Sequence, residues 1–211
     1  MKCAVLEDSP IRSPKDLKGK IISINLIGGG LDIPLRVMLK RHGLEDKRDY
    51  TIVEVNFPNN EAVLREKKVD AAVFLTPFWH RAQQKGGIRP LFTSKEAVGP
   101  TQMIMKVAES SFLVRQQQVA RDLFDDWRLA LQWYLNPANR AEAIKIIAEF
   151  TKVPAAVHEA YVFTKKDQYR DPQGIPSAAI IQVNFDLLHE LGYIDEKLDA
   201  KKFIDTSYIK P

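Results

Sequence analysis

Three consecutive glycines, Gly28, Gly29 and Gly30, stand in "LIGGGLDIPLRVML" between an apolar run and Asp32. Placed after a strand and before a helix, they bring backbone amides to the helix's positive end, where an anion or a polar ligand can be cradled. The spacing excludes two nucleotide loops. No Lys-Ser or Lys-Thr follows, as a Walker loop requires, and the glycines are adjacent rather than set as GxGxxG. What remains is a mobile strand-to-helix turn or a ligand cradle. Asp32 bears on the guest. As a helix cap, its carboxylate takes the amides that an anion wants; turned toward a ligand, it favours an amine, amide or hydroxyl donor.

Two further corners carry comparable residues. In "FLTPFWHRA", Thr76 can cap a helix or face a ligand, and Phe78 and Trp79 offer flat apolar surface or core. His80 there is a switchable donor and acceptor or a solvated helix residue. In "NFPNNEA", Asn59 or Asn60 can cap a helix or hydrogen-bond a guest. Three polar corners along one sheet edge favour a pocket. Metal and nucleophilic chemistry have little to work with. His42, His80, His158 and His189 are far apart, and neither HExxH nor GxSxG occurs. Cys3 is the only cysteine, which rules out an intrachain disulfide or a thiolate cluster. It is either buried or reactive. No cofactor is expected.

The elements that position these corners alternate. "CAVLE" (3–7), "KIISINL" (20–26), "YTIVEV" (50–55), "VDAAVFL" (69–75), "GIRPLF" and "TQMIMKV" read as strands. Between them, "DIPLRVMLKRHG" reads as a helix with Asp32 as cap, "PNNEAVLREKK" as a capped helix, and "TPFWHRAQQKG" as a helix capped by Thr76. Repeated strand–helix units with long crossovers specify an α/β fold with a mostly parallel sheet and helices on both faces. Composition changes after Glu109. "SSFLVRQQQVARDLFDDWRLALQWYLN" (110–136) reads as one long helix with Leu113, Leu123, Trp127, Leu131 and Leu135 on its apolar side. "PANRAEAIKIIAEFTK", "PAAVHEAYVF", "SAAIIQVNFDLLHELGYI" and "DAKKFI" read as further helices.

Bulk properties narrow the partners. The chain has 211 residues, 45% hydrophobic and 27% charged, the make-up of an ordinary globular protein. Its +4 formal charge is dispersed, and acids alternate with bases in "RHGLEDKRD" and "YIDEKLDAKK", which argues against nucleic acid. No apolar run reaches the roughly 18 residues of a membrane span. The amino end, "MKCAVLEDSP", meets acids and a proline before a signal-peptide core can form.

"SPKDLKGKIISI" with its glycine loop and helix, "VDAAVFLTPFWHRAQQKGGIRPLF", "PTQMIMKV" and "FLVRQQQVARDLFDDWRLALQWYLNPANRAEAIKIIAEFTKV" together resemble the NMT1/THI5-like, nitrate–sulfonate–taurine type of substrate-binding protein. The resemblance spans nearly the whole chain. It implies a periplasmic-binding-protein-like clamp (type II) that holds a small solute between two α/β lobes and hands it to the permease of an ABC importer. Residues 8–108 then correspond to the second lobe, and 109–211 to the helical return to the first, most of which is missing. The glycine, Asn59–Asn60 and Thr76–Trp79 corners face the cleft. The resemblance also implies a periplasmic or extracytoplasmic location; if the chain is complete as written, the lack of a signal peptide instead implies a cytoplasmic one.

Departures from the family pattern touch the ligand. Many members continue the glycine corner with a serine or threonine, where this chain has Gly30, Leu31 and Asp32; many carry Trp-Glu-Pro where it has Leu75, Thr76 and Pro77. A sulfonate or nitrate ligand therefore does not carry over directly. Two other readings stand beside solute binding. One is an enzyme similar to the thiamine-pyrimidine synthases of the wider family, whose cysteine-rich motif this chain lacks. The other is an oligomeric structural or interaction role, because helices suited to an absent lobe expose apolar surface and favour a homo-oligomer.

Overall fold

The computed structural model describes residues 1–102, 104–164 and 170–209. They form two compact units, Met1–Thr101 with Val183–Leu198, and Gln102–Gln182 with Asp199–Pro211.

The first unit is built on β1 (Lys2–Leu6), β2 (Lys20–Ile24), α1 (Asp32–Arg41), β3 (Tyr50–Glu54), α2 (Phe57–Arg65), β4 (Ala71–Phe74), α3 (Phe78–Gln84), β5 (Ile88–Thr93) and α4 (Ser94–Val98). The sheet order is β3-β2-β4-β1-β5. β2 pairs in parallel with β3 and β4, and β1 pairs antiparallel with β4 and β5. Four strands therefore run one way and β1 runs against them.

Strand alternation sorts side chains onto two faces. Cys3, Val5, Ile22, Ile24, Ala71 and Val73 join one core, closed by Leu35, Met38 and Leu39 of α1 and by Leu187. Ala4, Ala72 and Phe74 join the other, closed by Leu64 of α2 and by Trp79 and Ala82 of α3. Each fully buried Val, Leu or Phe contributes about 1.5–3 kcal/mol. Because both faces are covered, these strands read as apolar runs rather than as alternating ones. Buried Ser23 is the polar interruption in β2.

The second unit holds α5 (Ser110–Arg115), α6 (Gln117–Leu135), α7 (Arg140–Thr151) and α8 (Ala155–Glu159); α9 (Ala178–Glu190) begins in this unit and ends in the first. Its core gathers Ile144, Tyr161 and Val162, with Tyr134, Ile147 and Phe163 packed on them. Two expectations are corrected here. The single helix over 110–136 is broken at Gln116, whose φ of −128° and ψ of 43° are not helical. The described residues of "TQMIMKV" form no strand, since they find no ladder to join; Met103 lies outside the described residues. Of the expected apolar side of α6, Leu123 is 59% exposed; outside that set, Leu129 is 57% exposed and Phe150, on α7, 87%.

Candidate functional site

α1 carries the chain from β2 to β3 on one face, and α2 carries it from β3 back to β4 on the other. The loops leaving the neighbouring strands β2 and β4 therefore part toward opposite faces. Such a switch in strand order opens a crevice at the carboxyl edge of a sheet, the place where open α/β sheets receive ligands. The glycine corner follows β2, the asparagine corner follows β3, and the Thr76 corner follows β4. All three expected corners thus share one edge.

The crevice is pinned from below. The parallel ladder between β2 and β4 runs only through the Ile22–Ala71 and Ser23–Ala72 pairs. Beyond it, Ser23 Oγ donates to Asn60 Oδ1 at 2.6 Å, and Asn60 Nδ2 donates to the Val73 carbonyl at 2.7 Å. Ser23, Asn60 and Val73 are completely buried, so the amide's groups are spent on holding the strands. The sequence signal for this role was the lone serine in "KIISI", which needs a polar partner once covered. Asn56 caps α2 rather than Asn59 or Asn60, its side chain accepting from the Asn59 amide at 3.2 Å. Asn59 itself is exposed.

The glycine corner is held by carboxylates. The Ile27 amide donates to Glu54 Oε1 at 2.7 Å, and the Gly28 amide donates to Asp32 Oδ2 at 2.8 Å. Asp32 is not the cap of α1; Leu31 is, and Asp32 is the first helical residue, completely buried. Its Oδ2 also accepts from Arg36 Nε and from the Tyr193 hydroxyl, each at 2.8 Å. Its Oδ1, equally enclosed, has no hydrogen-bond partner among the described residues. Burial opposes the charge on Arg36, yet its hydrogen bonds to Asp32 and to Asp46, the latter at 2.7 Å, hold the guanidinium above its ordinary pKa. Burial, with the Asp32 carboxylate beside it, pushes Tyr193 up to about 12. Gly28 adopts a φ of +76°, the left-handed region that glycine enters without strain. Glu54 and Tyr193 escaped the sequence reading; no local pattern ties either to Asp32.

At the third corner, Pro77 rather than Thr76 occupies the cap position of α3, and Thr76 is half-buried. Trp79 is buried, its ring edge-on to Phe74 at 6.0 Å, and the Lys2 ammonium lies 5.1 Å from its centroid. Trp79 is therefore a core residue at the crevice's margin. Phe78 is half-buried and stacks on Phe57, with centroids 5.5 Å apart and planes 12° from parallel. This pair joins the first residues of α2 and α3. His80 is buried rather than solvated. On α2, buried Glu61 sits among Arg65 (2.9 Å), Lys85 (3.0 Å) and Arg81 (3.6 Å). Burial works against its charge, but Lys85 and Arg65 hold its carboxyl below the usual range.

Two cavities are lined mainly by residues outside the three corners. A groove of about 820 Å³ runs beside α1 and β3, lined by Arg36, Asp46, Tyr50 and Tyr193 among others, and touches the glycine corner only through Ile27. In the second unit an apolar cavity of about 340 Å³ is lined by Val107, Phe112, Leu123, Phe124 and Trp127. Among the described residues no cluster of His, Cys, Asp and Glu could hold a metal, and no helix is long and apolar enough to cross a membrane.

A profile described as the NMT1-like family matches residues 5–148. The chain belongs to this family. Solved structures share the NMT1-like chain's fold. The periplasmic aliphatic sulphonate binding protein SsuA from Escherichia coli superposes with a TM-score of 0.73 at 22% identity, covering 97% of this chain and 64% of its own. The alkanesulfonate-binding protein SsuA from Xanthomonas axonopodis pv. citri, bound to MOPS, gives 0.73 at 22%, over 97% and 68%. The periplasmic nitrate-binding protein NrtA from Synechocystis PCC 6803 gives 0.69 at 15%, over 95% and 60%. The NMT1-like chain thus spans about two thirds of the length of these proteins, and at such identities the likeness is one of fold. No curated protein sequence matches it.

Proposed function

We propose that this NMT1-like chain binds a small solute at the carboxyl edge of β2, β3 and β4, as the second-lobe portion (8–108) of a substrate-binding component that serves an ABC importer permease outside the cytoplasm. The observation that carries this reading is the switch in strand order between β2 and β4, from which the glycine and Thr76 corners part toward opposite faces. Family membership and the fold of the sulfonate- and nitrate-binding proteins support it. In such a clamp, solute contacts to both lobes drive closure, so a single lobe binds weakly. Titration of labelled full chain with sulfonates, amines and pyrimidines, read at the amide signals of Gly28–Gly30, Asn59 and Thr76, tests it. Saturable shifts there are expected. Submicromolar binding centred on the groove beside α1 and β3 would overturn it.

The exposed Leu123, Leu129 and Phe150 of the helical unit favour a second property, self-association as a homo-oligomer. Light scattering that finds a monomer across a broad concentration range would remove it. The enzymatic alternative gains nothing from Cys3, which is completely buried.

A further inference from the structure

Two loop amides at the glycine corner, those of Ile27 and Gly28, are committed to Glu54 and Asp32. An anion approaching these two amides therefore finds them in use, with carboxylates as their partners. No Lys or Arg occurs in the three loops at the edge, "NLIGGGL" (25–31), "VN" (55–56) and "LTP" (75–77). The cations around them are engaged. Arg36 bridges Asp32 and Asp46, Arg81 lies over Phe78 and beside Glu61, and Lys2 lies over Trp79 on the far side of β4. Acceptors, in contrast, are in surplus. Glu54 is exposed and can meet a donor, while the enclosed Oδ1 of Asp32 lies behind the loop with no donor among the described residues.

Apolar surface accompanies this acidic corner. Leu26 and Ile27 are 53% and 45% exposed on the glycine loop, and the stacked Phe57 and Phe78 offer a flat, half-buried face at the two neighbouring corners. Because Arg81 already lies over Phe78, this pair serves a solute's apolar ring rather than its charge.

From this juxtaposition we infer that the glycine corner takes the protonated amine of a solute with a flat apolar body, and rejects sulfonate-type anions. The inference rests on the proposed binding edge and adds the ligand's charge and shape. It separates this chain from the sulfonate- and nitrate-binding proteins whose fold it shares. Glu54 is the residue that sets the preference, through its charge at the open side of the loop.

Benzylamine and benzenesulfonate form a matched pair of probes. Each is titrated into isotopically labelled full chain at the same ionic strength, with amide shifts followed at Ile27 and Gly28–Gly30. Benzylamine is expected to shift these signals saturably and benzenesulfonate to leave them in place. Glu54→Gln keeps an acceptor for the Ile27 amide while removing the charge, and is expected to weaken benzylamine by about fivefold, the size of one exposed ion pair. Tighter binding of benzenesulfonate at these amides, or benzylamine binding indifferent to Glu54→Gln, overturns the inference and leaves the binding edge standing. If neither probe moves the corner, and no other solute class does, the binding edge itself is wrong and the inference falls with it.

Discussion

The hydroxyl of Tyr193 donates to the buried carboxylate of Asp32 across 161 positions of sequence. The same carboxylate oxygen holds the Gly28 amide and the Arg36 guanidinium. One residue thus joins the glycine loop, the first turn of α1 and the segment that follows α9. Tyr193→Phe removes a single hydrogen bond to a charged group and keeps the ring. The expected cost is about 1.5–3 kcal/mol, read as a lower urea midpoint for the first unit. An unchanged midpoint would show that the link carries no stability.

Asp32 is expected to be far less replaceable. Asp32→Ala strands Arg36, which is mostly covered, with Asp46 alone, and breaking a buried pair by removing one partner costs about 3–5 kcal/mol. Thermal denaturation of the variant checks this. A loss below that of Tyr193→Phe would mean that the carboxylate is not the hub.

Much of this arrangement was legible in sequence, for reasons that can be named. β2 and β4 announce themselves because their residues are apolar on both faces, and α1 ends where Lys40, Arg41 and Gly43 indicate. Asp32 was visible as a residue of consequence, but its partners were not. Glu54 lies 27 positions from Ile27 and Tyr193 far beyond, and periodicity has no such range. Asn60 and Trp79 look like ligand residues in sequence because polar and aromatic side chains serve binding and burial alike. Only the partner groups Ser23 and Phe74 tell the two uses apart.

Cys3 is completely buried, and burial alone pushes its thiol up to about 12. The thiolate is the reactive form, so native protein is expected to resist iodoacetamide at about pH 8 and to react fully once unfolded. Rapid stoichiometric labelling of the native chain would contradict this burial.

In the second unit, His158 is completely buried, with Nδ1 2.8 Å from the Tyr161 hydroxyl and Nε2 3.1 Å from Thr151 Oγ1. Thr151 Oγ1 donates to the Ile147 carbonyl and so accepts from His158. Burial lowers the imidazole's pKa below its ordinary 6.5, with the Val153 carbonyl opposing. The unfolded chain therefore binds the proton more readily. The stabilisation is full above 6.5 and is lost as pH falls below that value. His158→Gln should flatten this acid slope in denaturation midpoints; an unaltered slope would assign it elsewhere.

Gly174 has a φ of +70°, and a Cβ built there would overlap the Trp127 ring. Gly174→Ala combines backbone strain with overpacking and is expected to cost about 1–3 kcal/mol. Near-wild-type melting of the helical unit would show that Trp127 yields freely.

The placement of β1 between β4 and β5 has a consequence for synthesis. β1 sits inside the sheet although it precedes both of its partners, Ala71–Phe74 and Ile88–Thr93, in the chain. A nascent chain on the ribosome holds Lys2–Leu6 with both edges open until those segments emerge. Pairing of such distant segments is slow because the loop must close first, so this edge is the stretch that a chaperone would shield longest during translation.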